Sequence, residues 1–248
     1  MGKISLRMFA LGICLCLALW AGVAQILQMP VIPSPVQVLL RLAAKFPDTI
    51  AIHAGYSLMR IMLGLLAAVA VGYPLGVVMG YFPRANRLLA PILYLTYPVP
   101  KIALLPVAML LFGVGEASKL LLVFLIIVFQ VVVAVRDAVA AIPPETYAPL
   151  RVLGASFPQM VRHIIVPASL PKFITAVRVA MATAISVLFF TETFGTQYGI
   201  GYYIMDAWLR VNYLDMYAGI VVLSTMGLLL FILLDWAERR LCAWNHTV

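Results

Sequence analysis

Three histidines, three cysteines and nine acidic residues are all that this chain of 248 residues offers for metal binding or carboxylate and imidazole catalysis. His53, His163 and His246 stand far apart and form neither a dyad nor a ligand set. Cys14 and Cys16 lie two residues apart in an apolar stretch, where a helix turns them to different sides, and Cys242 sits near the other terminus. That spacing makes no disulfide framework and no metal site, so all three are expected to be buried or spectator thiols. The acids fall mainly at segment ends and in loops, without the cluster a membrane-embedded enzyme needs. No Gly-rich loop ends in Gly-Lys-Ser/Thr, so the sequence has no cradle for a nucleotide phosphate.

What remains is a set of polar residues inside apolar sequence, and such residues are functional hypotheses wherever a segment spans a membrane. Lys101 follows the break Pro98-Val99-Pro100. Its ammonium either faces a cavity and attracts an anion, or snorkels to the inner surface or satisfies carbonyls that the prolines free. Tyr94 and Tyr97, beside the same break, line a gate or belong to an interfacial belt. Glu192, between Thr191 and Thr193, lines an exit or anchors its helix, and Arg178 is expected to reach back to the cytoplasmic interface. Tyr198, Tyr202, Tyr203, Trp208 and Tyr213 read as an outer aromatic belt or as contacts for an extracytoplasmic protein.

Composition places these residues in a bilayer. AVILMFWYC make up 65% of the chain and charged residues 10%, with a mean hydropathy of +1.07. A soluble fold covers itself with charge at about a quarter of its positions, so soluble enzymes and DNA-binding modules are excluded. The net charge of +8 is scattered between apolar blocks rather than gathered in a patch, the distribution that cytoplasmic loops produce.

Apolar stretches near the roughly 20 residues needed for a span occur at 9–27, 57–80, 88–112, 118–135, 173–195 and 214–235. The third is interrupted by Pro91, Pro98, Pro100 and Pro106, and a broken helix is tolerated at membrane depth only where protein or a water-lined cavity covers it. The first stretch is too long for a signal peptide, and Ile13 before Cys14 spoils a lipoprotein site, so it is expected to be retained. Six spans put both termini on one side. With both inside, the cytoplasm holds Lys3, Arg7, Arg84, Arg87, Arg136, Arg151, Arg162, Lys172, Arg239 and Arg240, against Arg41, Lys45, Lys119 and Arg210 outside; ten against four favours this topology. Gly64, Gly72, Gly76 and Gly80 recur at multiples of four and predict close packing of the second span against a neighbour.

Two loops are more than connectors. In 29–56, Val38, Leu39, Leu42, Ala43 and Phe46 form an apolar face interleaved with Arg41 and Lys45, which reads as an extracytoplasmic interfacial helix. In 136–172, Pro143, Pro144 and Glu145 suit a helix start and Gly154 its left-handed cap. Ser156 with Gln159 then opens a second helix by a capping box, expected to stop at Pro167 and Pro171. Such a helix pair either lies on lipid headgroups or docks on a partner.

The segment ETYAPLRVLGASFPQMVRHIIVPASLP, Glu145 to Pro171, resembles the cytoplasmic signature of binding-protein-dependent ABC importer permeases. Gly154, Ile164 and Pro167 fall at the family spacing. Further matches are PSPVQVLL (Pro33 to Leu40), PVPKIALLPVAMLLFGVGEASK (Pro98 to Lys119) and TETFGTQYGIGYYI (Thr191 to Ile204), which resemble the nitrate, sulfonate and taurine branch. The likeness covers roughly Pro33 to Arg240. One departure is plain: Ala148, Pro149 and Leu150 stand where the family has Glu-Ala-Ala, and Pro149 would break a helix begun at Glu145 unless that helix starts near Ala148. Either Glu145 supplies the missing carboxylate or Arg151 and apolar packing take its place.

The resemblance implies an all-α polytopic membrane protein with about six transmembrane helices and the type I ABC importer permease fold, with a cytoplasmic coupling loop. It implies no enzyme and no cofactor on this chain, with ATP and Mg held by a cytoplasmic ABC ATPase dimer. The other partners it implies are an extracytoplasmic solute-binding protein and a second copy of the permease, in the plasma (inner) membrane. The organisation expected is an N-terminal transmembrane helix (1–28), the interfacial segment (29–56), a permease core (57–240) containing the coupling loop, and a cytoplasmic tail (241–248). Coupling residues by this likeness are Glu145, Ala148, Arg151, Gly154, Ile164 and Pro167; Tyr97, Lys101 and Glu192 are pathway candidates. The solute expected is small, with an anion such as a sulfonate, nitrate or bicarbonate suggested. A self-contained secondary transporter is the alternative, and it would show paired inverted halves or acids deep in its spans, neither of which the sequence has.

Overall fold

The computed structural model describes residues 6–246, and all of its regular structure is helical. Lys3 and the last two residues of the expected tail lie outside the described residues. Eleven α-helices follow in order: α1 (Leu6–Leu27), α2 (Pro35–Lys45), α3 (Ala51–Tyr81), α4 (Pro83–Thr96), α5 (Leu105–Phe112), α6 (Glu116–Ala140), α7 (Pro144–Val152), α8 (Phe157–Met160), α9 (Val166–Glu192), α10 (Ile200–Leu209) and α11 (Tyr213–Leu241). Five helical stretches are long and apolar enough to cross a membrane, and α4 with the Lys101–Phe112 segment, bent by 83°, makes a sixth if the pair is one span. The expected third span is thus two half-helices meeting at the proline break. The chain divides into two compact units, one of the segment ending at Ser57 with Gln197–Ser224, the other of Leu58–Thr196 with the segment from Thr225.

In the first unit, α1 turns most of its apolar surface outward, Cys14 and Cys16 included, as a helix in lipid does. Trp20 Nε1 donates to Pro33 O at 3.1 Å, and its ring stacks on Tyr217 at 5.7 Å. A capping box of Ser34 and Gln37 opens α2, where Pro35 at the first position needs no donor. The expected amphipathic face is divided: Val38 is buried, whereas Leu39 and Phe46 are exposed. Arg41 reaches Asp215 through two hydrogen bonds of 2.6 and 3.2 Å. Past Lys45 the helical path continues through a π-helical turn at Phe46–Ile50 into α3, because the wider turn accommodates Pro47. The start of α10 has its first donors capped from α3, Gly199 N–H by His53 Nδ1 (3.2 Å) and Ile200 N–H by Ser57 Oγ (2.8 Å).

The second unit is centred on α6. Leu122, Val123, Ile127, Val131, Val132 and Val135 are all buried, and α9 covers one side of this helix. On another side lies the predicted glycine face of α3. A Cβ placed on Gly64, Gly72, Gly76 or Gly80 would meet Val123, Val131, Val135 or Val139 respectively. Each pair is 59 residues apart (123 − 64, 131 − 72, 135 − 76, 139 − 80), so α3 and α6 run parallel and in register along four contacts. Glycine is required here for approach rather than for backbone freedom: the valine side chains fill the space that any β-carbon would take. Arg178, in the middle of α9, pairs with Asp235 at 2.6 Å and with Glu238, both on α11. Cys242 is buried.

Gly76→Ala brings a methyl to 2.7 Å from Val135 Cβ and 2.9 Å from the Val132 carbonyl oxygen, a clash that backbone must absorb. It is expected to destabilise the protein in detergent by about 1–3 kcal/mol, read as a lower thermal midpoint. Gly55→Ala, which meets nothing within 4 Å, is expected to leave the midpoint unchanged or raise it.

Candidate functional site

Residues expected to act on a partner gather on the hairpin of α7 and α8. Gly154 has φ +73°, the left-handed conformation that favours glycine. Its N–H donates to Arg151 O at 3.0 Å, and that of Ala155 to Leu150 O at 2.9 Å, the paired bonds of a Schellman cap. Gln159 Oε1 accepts from the Ser156 N–H at 2.7 Å, the return arm of the capping box that starts α8. Two expectations fail here. The first helix begins at Pro144 and passes through Pro149; the carbonyl that loses its donor belongs to Glu145, an exposed residue, where water answers it. The second does not stop at Pro167, because the π-helical turn Val161–Ile165 leads the chain directly into α9 with Pro167 at its second position, where a missing N–H is tolerated.

Glu145 and Ala148 are exposed on α7, as is Arg151, whose guanidinium lies 5.5 Å from the Tyr147 ring centroid. Ile164 is buried and Pro167 half-buried, so these two support the hairpin rather than face outward. Val152 and Leu153, which sequence reasoning passed over, are 86% and 80% exposed at the hairpin tip. Behind the tip, Tyr81 at the end of α3 meets Tyr147 (5.6 Å) and Phe157 (5.0 Å), Phe82 joins Phe157 at 5.2 Å, and Tyr81 Oη donates to Met160 Sδ at 3.4 Å. This aromatic cluster ties the hairpin to the glycine-faced helix. Burial among the rings, with Tyr81 nearby, holds the Tyr147 phenol above its ordinary pKa.

Glu192 lies in a different place. Its carboxylate accepts from Arg60 Nη1 at 2.6 Å, and Arg60 also donates to Glu116 through Nε (2.6 Å) and Nη2 (2.5 Å) and to Thr196 at 3.4 Å. Arg60 and Glu192 are fully enclosed, while Glu116 is 45% exposed. One guanidinium therefore joins α3, α6 and α9. The signal for it was an arginine inside an apolar stretch, which demands a partner; the partner, 132 residues away, has no local signature.

Lys101 and Tyr97 are brought together at the helix break, apart from Glu192. Lys101 Nζ donates to the carbonyls of Thr96 (2.5 Å), Tyr97 (3.1 Å) and Val99 (2.9 Å) and lies 4.6 Å from the centroid of Phe129. These carbonyls lie where the chain leaves helical pairing at the break, and the ammonium satisfies them.

Removing Arg60 leaves Glu192 buried without its cation. Arg60→Met is expected to cost about 3–5 kcal/mol of stability in detergent, whereas Glu116→Gln, at a half-exposed acid, costs about 1 kcal/mol or less. Equal losses for the two variants would contradict the reading that Glu192 is the essential counter-charge.

Comparison with known proteins places this architecture. Residues 72–242 match the family model described as binding-protein-dependent transport system inner membrane component. The taurine transport system permease protein TauC of Escherichia coli (strain K12) is 34% identical, over 94% of this chain and 87% of the relative. The putative aliphatic sulfonates transport permease protein SsuC of Bacillus subtilis (strain 168) is 29% identical, over 93% and 85%. A solved structure of the MetNI methionine ABC transporter in an inward-facing conformation aligns with a TM-score of 0.65 at 20% identity, over 75% of this chain and 92% of that one, which shows the type I importer permease fold. The secondary-transporter alternative is set aside. The chain belongs to the binding-protein-dependent transport system inner membrane components and is a multi-pass permease subunit of an ABC importer, working with a binding protein and leaving ATP hydrolysis to a separate ATPase subunit.

Proposed function

We propose that this permease lies in the inner membrane with both termini cytoplasmic, pairs with a second copy of itself, and imports a small sulfonate. We further infer that the α7–α8 hairpin docks on the cytoplasmic ATPase, where ATP and Mg are bound, with no cofactor on this chain. The exposed apolar pair Val152 and Leu153 beside the Gly154 turn is the observation that supports docking. Apolar residues presented to water on a sharp turn, with charged Glu145 and Arg151 alongside, make a small interface core with a polar rim. The solute class rests on the names of the two relatives, which concern taurine and aliphatic sulfonates.

The hairpin can transmit force because its far side is packed on Tyr81 and Phe82. Closure of an ATPase dimer would displace the hairpin, and the aromatic cluster would pass that displacement to α3. Glu145, exposed and without an ion-pair partner among the described residues, sits in the first turn of α7, where the helix dipole favours its charge. It is placed to stand in for the family carboxylate missing at Ala148.

Gly154→Val strains a left-handed position by about 1–2 kcal/mol, while its new side chain meets open space. The variant is expected to insert normally yet uncouple ATP hydrolysis from uptake in vesicles; normal coupling would overturn the docking role. Glu145→Ala is expected to weaken co-purification of the ATPase more than Arg151→Ala does, and the reverse order would assign the polar contact to Arg151.

A further inference from the structure

A groove of about 290 Å³ opens in the second unit at the α4–α5 break. Tyr97, Lys101, Phe129, Gln130 and Thr183 line it. Gln130 stands about 21 Å from the Glu116 end of α6 and about 15 Å from its Ala140 end, and Thr183 about 25 Å and 13 Å from the ends of α9, at 1.5 Å per residue. Both therefore lie well inside their helices.

Neither the Gln130 amide nor the Thr183 hydroxyl has a hydrogen-bond partner among the described residues. This is unlike the neighbours of Thr183 on α9: Thr175, Ser186 and Thr191 each donate to a carbonyl about one turn back, at 3.0, 3.1 and 2.9 Å. A polar group in a span that faces hydrocarbon unpartnered is costly, so two such groups on one groove mark a surface that meets water or a polar solute. The charge of the groove is one-sided. Lys101 is its only cation, and no carboxylate lines it. The three carbonyls on Lys101 are neutral, so they fix the ammonium without cancelling its charge. The groove lies at the lower end of the about 300–1,000 Å³ of small-molecule sites, a size for a short solute.

We propose that this groove is a transit site for a small organic anion, in which Gln130 and Thr183 hydrogen-bond the head group and Lys101, held at the helix break, supplies a positive field. The site rests on the sulfonate reading above and gives it residues.

The test uses the complete transporter, with its ATPase and binding protein, reconstituted in vesicles and supplied with ethanesulfonate (one net negative charge) or 2-aminoethanesulfonate (net neutral). Gln130→Glu preserves size and adds a carboxylate to the groove; Thr183→Asp does the same from α9. Each is expected to lower the anion-to-zwitterion uptake ratio by about tenfold or more, since a like charge at close range opposes the anion. The ratio is internal to each preparation and does not depend on how much transporter assembles. Should a charged variant fail to assemble, the uncharged Thr183→Val, matched in size, is expected to raise the KM for both solutes by about fivefold through the lost hydrogen bond. Wild-type ratios in the charged variants, or a wild-type KM in Thr183→Val, overturn the proposal while leaving the sulfonate reading intact. Wild-type vesicles that hydrolyse ATP yet take up neither solute overturn the sulfonate reading itself, and this proposal with it.

Discussion

A guanidinium enclosed where three spans meet is stable only while its carboxylates stay with it, and that condition governs how the permease core can move. Arg60 on α3 holds Glu192 on α9 and Glu116 on α6. Parting α3 from α9 there would leave buried charge without its partner in a low dielectric, which is far more expensive than breaking a surface pair; Glu116 on α6, half-exposed, holds its helix less strongly. The Gly–Val register between α3 and α6 adds a second restraint along their length, because interdigitated side chains cannot slide without overlap. The three spans are thereby expected to travel together, with motion confined to what surrounds them.

The hairpin and the helix break fit that mechanical division. The aromatic cluster of Tyr81, Phe82, Tyr147 and Phe157 attaches the hairpin to the end of the restrained α3, so a push at the tip reaches the whole group of spans. At the α4–α5 bend the backbone has left helical pairing, and Lys101 replaces the lost donors with its ammonium. A break answered by one flexible side chain is easier to reshape than a continuous helix. It is accordingly the part of this unit best suited to change shape.

Much of the architecture was legible in the residues because it follows from local rules. The apolar stretches, the broken third span, the glycine face of α3, the Gly154 turn and the Ser156–Gln159 cap each depend on neighbours within a few positions. Prolines misled for the same reason: Pro167 reads as a stop, yet a preceding π-helical turn lets the helix continue, and Pro149 survives inside a helix whose freed carbonyl belongs to an exposed residue. What stayed hidden was long-range pairing. Neither the valines that the glycines meet nor the acids that Arg60 needs can be found from spacing alone. The carbonyl partners of Lys101 could not be read from spacing either, and Gln130 and Thr183 drew no notice because their interest lies in having no hydrogen-bond partner among the described residues.

Contact between the hairpin and the ATPase can be read by cross-linking from single cysteines. In a chain lacking its own three cysteines, Leu153→Cys would be assembled with the ATPase and treated with a short thiol-reactive cross-linker. A covalent permease–ATPase product is expected from position 153. A product from Arg87→Cys, in the first turns of α4 and also on the side proposed as cytoplasmic, with none from Leu153→Cys, would place the contact elsewhere.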